Sequence, residues 1–179
     1  MQFVVLHGRP GVGKLTVAKL LQGLTGYRLF HNHLTVDLVA SLLPFDAPAA
    51  AELRERIWFD ALATAARNGV PGVIFTLVFE PTLLPSFHHR LVEVMEAAGA
   101  DIHWFELQCS PEENARRVVQ PDRRRYLKET SAEFLLGGIE GGAYDPPDNL
   151  ATNTVIDTTN LSAEATVNLV LAALRTPMR

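Results

Sequence analysis

The first twenty residues, MQFVVLHGRPGVGKLTVAKL, constrain the fold more than any other stretch. Phe3 to Leu6 is an apolar run with two β-branched valines, the pattern of a buried strand. The stretch Gly8-Arg9-Pro10-Gly11-Val12-Gly13 follows, and from Lys14 onward Val17, Ala18, Leu20 and Leu21 recur at helical spacing. Strand, glycine loop and helix in that order are the setting in which Gly8, Gly13 and Lys14 at this spacing read as a phosphate-binding loop. Glycine suits a backbone that must turn sharply and approach an anion closely. The N–H groups of the loop and of the helix N-terminus then point at phosphate, and Lys14 adds a positive charge on a flexible stem. One position departs from the pattern. After the lysine a Ser or Thr hydroxyl ordinarily ligates Mg²⁺, but here Leu15 stands there and Thr16 comes one place later.

At 179 residues one domain, 1–179, is expected, and 47% hydrophobic residues are enough for a real core. A net charge of −4 argues against a general nucleic-acid binder. The single cysteine, Cys109, excludes an internal disulfide and a multi-cysteine metal site. Its setting, WFELQCS, reads as the end of a buried strand, which makes a structural role the expectation. No apolar run reaches transmembrane length, and the chain goes into its first strand without a basic start or a cleavage site. A soluble, cytoplasmic protein with no membrane partner is the expectation.

Further along, the pattern predicts strands at 27–30, 73–79, 102–107 and 154–156, and helices at 34–43, 49–68, 87–98 and 163–174. Thr35 or Asn32 is available as a cap for the helix at 34–43. Ser110-Pro111-Glu112-Glu113 opens one more helix with a cap, a proline in the first turn and two acids. Arg116, Arg117, Arg123, Arg124, Arg125 and Lys128 then crowd a stretch with one acid, Asp122, and one break, Pro121. The segment 137–147 is Gly-rich and reads as loosely specified. Apolar strands alternating with helices predict a parallel sheet covered on both faces. In such sheets ligands bind at the C-terminal strand ends, which collects the phosphate loop, His31 to His33, Phe79-Glu80 and Thr158-Thr159 on one edge.

With these elements in place the chain resembles the P-loop small-molecule kinases: the shikimate and gluconate kinases, chloramphenicol phosphotransferase and, more distantly, adenylate kinase. GRPGVGK is similar to their GxPGxGK loop, CSPEENARRV to the helix that leads into their lid, and IDTTNLSAEATVNLVL to their last strand and helix. The resemblance implies a three-layer α/β fold with a five-stranded parallel sheet in the order 2-3-1-4-5 and a lid at about 116–131. It implies ATP and Mg²⁺ as cofactors and transfer of a phosphoryl group to a small-molecule acceptor; a monomer or homodimer is expected. The alternative reading, favoured by Leu15 and by the lack of an acid within 76–79, is a nucleotide-binding protein or slow ATPase that serves as a switch.

The resemblance also distributes roles. Residues 8–16, that is Gly8, Arg9, Pro10, Gly11, Val12, Gly13, Lys14, Leu15 and Thr16, would hold the nucleotide with Arg117 and Thr159. Arg117 rather than Arg116 is expected to stack on the base, and Arg123, Arg124 and Arg125 to close over the phosphates. Related kinases carry Asp-x-Asp where this chain has His31-Asn32-His33. A neutral histidine can still take a hydroxyl proton, so His31 or His33 is a candidate base. Asp37 lies one helical turn after His33, placed to orient its ring or to reach metal through water. Asn32, Glu80, and Arg54 or Arg56 are candidate acceptor contacts; residues two apart on a helix do not face the same way. Arg54 and Arg56 read equally well as surface partners of Glu52 and Glu55. Trp58 and Trp104 read as core, and His88, His89 and His103 as ordinary surface or strand residues.

Overall fold

In the computed structural model, which describes residues 1–121, 129–148, 150 and 154–175, five parallel strands form one sheet in the order β2-β3-β1-β4-β5. The strands are β1 (Gln2–His7), β2 (Arg28–His31), β3 (Gly72–Thr76), β4 (Asp101–Gln108) and β5 (Thr154–Asp157). Helices α1 (Lys14–Thr25), α2 (His33–Ala40), α3 (Pro48–Arg67), α4 (Phe87–Ala97), α5 (Pro111–Val118), α6 (Ala132–Glu140) and α7 (Ala163–Arg175) cover it. This is the three-layer α/β architecture and strand order expected above. No described helix is long and apolar enough to cross a membrane.

Successive strand side chains point to opposite faces, so one apolar strand builds two cores. Phe3 and Val5 of β1 join Phe75, Trp104, Trp58, Phe87 and Leu91 beneath α3 and α4. Val4 and Leu6 join Ile74, Phe105, Leu107, Val17 and Val170 beneath α1 and α7. Trp58 packs edge-on to Phe75 and Phe87, with ring centroids 5.6 Å from each. A third, smaller cluster of Val118, Leu135 and Tyr144 joins α5 to α6.

Several elements differ from the sequence expectation. β2 runs to His31, so the first histidine is a buried strand residue and not part of a loop. β3 stops at Thr76, three residues short of Phe79, and the chain then leaves the sheet. The segment read as loosely specified contains the last four residues of α6, which Ser131 caps by accepting the Phe134 N–H at 3.1 Å. Gly138 is needed inside that helix: a Cβ there would lie 2.7 Å from the Tyr144 ring. His88 and His103 are buried, unlike the exposed His89. Nε2 of His103 lies 2.7 Å from Oε1 of Gln2, which satisfies it inside the sheet.

His7, the last residue of β1, is fully buried between the rings of Phe79 and Trp104, at 5.5 and 5.8 Å. Burial, followed by the positive charge of Lys14, lowers its pKa to about 4. Both ring nitrogens lack a hydrogen-bond partner among the described residues. Between the ordinary histidine value and about 4 the unfolded chain binds a proton that the folded chain does not, so stability falls with pH across that window. From pH 7 to pH 5 the loss from His7 should be about 2 kcal/mol. Urea denaturation of the wild type and His7→Leu at both pH values should show that extra loss in the wild type alone.

Candidate active site

The loop between β1 and α1 is held in an open turn by glycines at φ +130° (Gly8), +91° (Gly11) and +98° (Gly13), a region that favours glycine. Close neighbours add a second requirement at two of them. A Cβ on Gly8 would run into the carbonyl oxygen of Leu107 in β4, and one on Gly11 into the side-chain amide of Asn114 in α5. Asn114 is fully buried and donates from Nδ2 to the Pro10 carbonyl at 2.5 Å. The Lys14 ammonium donates to the carbonyls of Gly8 (2.6 Å) and Arg9 (2.8 Å), which fixes it on the loop's inner side. α1 starts at Lys14, so its first N–H groups and a lysine face one point, an arrangement that binds anions.

A cleft of about 330 Å³ opens from the loop, lined among others by Leu15, Thr16, Arg117, Gln120 and Leu161. Arg117 is held on three sides. Its Nε donates to Glu113 at 2.6 Å, Nη1 to the Thr158 hydroxyl at 3.0 Å and Nη2 to the Thr158 carbonyl at 2.8 Å. Arg116 instead pairs with Glu113 in the open, its side chain 67% exposed. Hydrogen bonds from Arg116 and Arg117 pull the Glu113 carboxyl down to about 2. At the β5 end the cleft is lined by Thr158. Thr159 is not in its wall: its hydroxyl donates to Asp157 and accepts the Ser110 N–H at 2.9 Å.

A second cleft, of about 500 Å³, lies across the loop and shares Pro10 with the first. Asn32, His33, Phe45, Glu80, Phe134 and Tyr144 are in its wall. Asn32 occupies the N-cap position of α2 without capping it. Its N–H and its side-chain oxygen both bond the hydroxyl of Thr76, at 3.3 and 3.2 Å, which ties the end of β2 to the end of β3. Burial raises the Glu80 carboxyl above its ordinary value, while Arg54, Thr82 and Lys14 pull the other way. The Thr82 hydroxyl donates to Glu80 at 3.0 Å and accepts from Nη2 of Arg54 at 2.9 Å. His31, 8% exposed, lies behind this wall with its ring 6.4 Å from that of His33. Asp37 is half-buried one turn along α2 and does not line the cleft.

Arg54 is 1% exposed, so it is neither a surface partner of Glu52 nor part of the cleft wall; Arg56 and Glu52 are exposed and Glu55 is buried. Burial draws the Arg54 guanidinium below its usual value, and Glu80 and Glu55 restore part of the loss. Phe45 covers one face, 4.7 Å from ring centroid to Cζ. Arg123 and Arg124, with the rest of 122–128 in the middle of the expected lid, lie outside the described residues.

Mg²⁺ requires oxygen ligands in near-octahedral geometry. The isobutyl group of Leu15 lines the cleft where the motif supplies a hydroxyl, and no group of three or more His, Cys, Asp or Glu able to hold a metal occurs among the described residues. Among the described residues, Leu15 therefore brings no metal ligand to the position where the motif supplies one.

Known proteins can now be compared with this geometry. A sugar kinase from Janibacter sp. superposes with a TM-score of 0.70 at 16% identity, over 97% of this chain and 94% of that one. A gluconokinase from Sinorhizobium meliloti gives 0.66 at 15% identity, over 97% and 91%. The chain has the P-loop kinase fold. No family model matches it. A nucleotide-binding protein from Sphingopyxis alaskensis is 30% identical over 162 residues, 90% of this chain, which spans only 46% of that relative's length.

Sequence reasoning missed Asn114, Gln120, Leu161, Phe45, Phe134 and Tyr144. For Asn114 a signal existed, since it shares a helix face with Arg117 three residues on. Gly11→Ala should cost about 1–3 kcal/mol, from its φ and from the approach of Asn114. In a double-mutant cycle with Asn114→Ala, followed by denaturant unfolding, the two losses should add to less than their sum.

Proposed function

We propose that the chain is an ATP-dependent phosphotransferase acting on a small-molecule acceptor. One observation carries this reading: two clefts meet at the phosphate loop, one on the α1–α5 side and one between α2 and α6. A protein that only sequesters nucleotide needs the first and not the second. In this reading the loop N–H groups and Lys14 take the β- and γ-phosphates, and the base lies against Arg117 and Leu161. Arg117 is already immobilised by Glu113 and Thr158, so little entropy is lost when a base settles on it.

Transfer is then a positioning problem. The acceptor hydroxyl oxygen forms a bond to the γ-phosphorus, the bond from that phosphorus to the β–γ bridging oxygen breaks, and ADP leaves. The hydroxyl proton passes to His33, the histidine of the pair that lines the second cleft. Asn32, oriented by Thr76, sits beside it to hold the acceptor. A second reading, a nucleotide-binding switch without transfer, is favoured by Leu15 in the first cleft, where it supplies no metal ligand.

Lys14→Ala should weaken ATP binding by about 1.5–3 kcal/mol, the worth of a charge-assisted contact. His33→Gln should leave ATP binding intact and cut turnover by about 10²–10⁴, the range for a positioned base, with His31→Gln doing far less. Calorimetry with ATP and an acceptor-library assay for ADP release measure the two. ATP binding with no ADP release above the slow hydrolytic background, across the library, would favour the switch.

A further inference from the structure

Resting on the phosphotransferase reading of the second cleft, we propose that its acceptor is an uncharged alcohol or phenol built on an aromatic or bulky apolar body, not a carboxylate or phosphate. Shape comes first. Phe45 and Phe134 are 41% and 66% exposed although both line the cleft, and Val36, Val78 and Tyr144 continue the apolar wall. Aromatic rings left open in a concave site are surface that a ligand of like character removes from water.

Charge comes second. Among the described residues the wall contains two carboxylates, Glu80 and Glu129, and no Lys or Arg. Arg54, which bonds Thr82 of the wall, is not available to an anion. Phe45 covers its face, Thr82 takes its Nη2, and Nη1 lies 3.9 Å from the Glu80 carboxylate. Its Nε and Nη1 have no hydrogen-bond partner among the described residues, and both are buried. A carboxylate entering here would be desolvated beside Glu80, with no exposed guanidinium among the described residues of the wall to receive it. A neutral hydroxyl meets none of this cost, and the wall offers it uncharged partners in Asn32, Thr82, Thr130 and the Tyr144 phenol.

Two probes of matched shape separate the alternatives: tyrosol, which is neutral, and para-hydroxyphenylacetate, its carboxylate counterpart. Each is titrated by NMR into the full chain in the presence of AMPPNP. Tyrosol should bind at least about tenfold more tightly, as expected when one of a matched pair leaves a charge unpaired. Phe134→Ala should weaken it several-fold, and Glu80→Gln should narrow the gap by improving the carboxylate. Equal or tighter binding of the carboxylate overturns the proposal, most directly if Phe45→Ala strengthens it further, because Arg54 would then be the receiving group. Failure of both probes to bind at millimolar concentration overturns it as well. ADP release with ATP distinguishes this inference from the reading beneath it. Tyrosol binding without transfer would sink the phosphotransferase reading and leave the ligand class standing. Transfer to the carboxylate alone would keep the enzyme and sink the ligand class.

Discussion

The Lys14 ammonium, bonded to the carbonyls of Gly8 and Arg9, closes the turn on which the rest of the site depends. A lysine at the first position of α1 carries its charge beside the helix N-terminus, where the helix dipole is also positive. The Gly8 and Arg9 carbonyls help to keep it there until an anion arrives. The loop can offer them because its glycines take positive φ values and leave room for close neighbours. Leu107 presses on it from β4 and Asn114 from α5, so sheet and helix together set its shape. The same helix holds Arg117 against Thr158 at the end of β5, so one short element positions the two ends of the first cleft.

On the other side the governing constraint is charge neutralised inside the protein. Arg54, Thr82 and Glu80 form a hydrogen-bonded chain, with Glu55 buried nearby and bonded to the Leu84 N–H at 2.8 Å. Buried charges of this kind are costly unless paired, and removing one partner leaves the other exposed to the full desolvation penalty. The chain therefore locks the connection after β3 onto α3. Of its charged members, it leaves Glu80, not Arg54, in the wall of the second cleft.

Much of this was legible in the sequence wherever a periodicity or a glycine pattern was strict. The sheet, its order and the loop followed from apolar strands alternating with helices and from Gly8, Gly13 and Lys14. α6 was hidden because Gly137 and Gly138 lower helix propensity, although Ser131 gave a capping signal. The burial of Arg54 was legible in part: it lies four residues before Trp58 and eight before Leu62, on the stripe that faces the core. What no periodicity states is that Glu80, a loop residue, comes back to meet it. Thr158 rather than Thr159 at the cleft follows from the alternation of β5, two residues beyond buried Ile156. Asn114 could be placed on a helix face but not against Pro10, because that contact joins residues 104 apart in the chain.

A crystal structure of the protein with AMPPNP tests the central claim most directly. The account predicts β- and γ-phosphate oxygens within hydrogen-bond distance of the N–H groups of Gly11 to Lys14. It also predicts the Lys14 ammonium turned from the Gly8 and Arg9 carbonyls toward phosphate, and the base between Arg117 and Leu161. A nucleotide bound elsewhere, or Lys14 still held by both carbonyls with the loop unoccupied at saturating ligand, would contradict it.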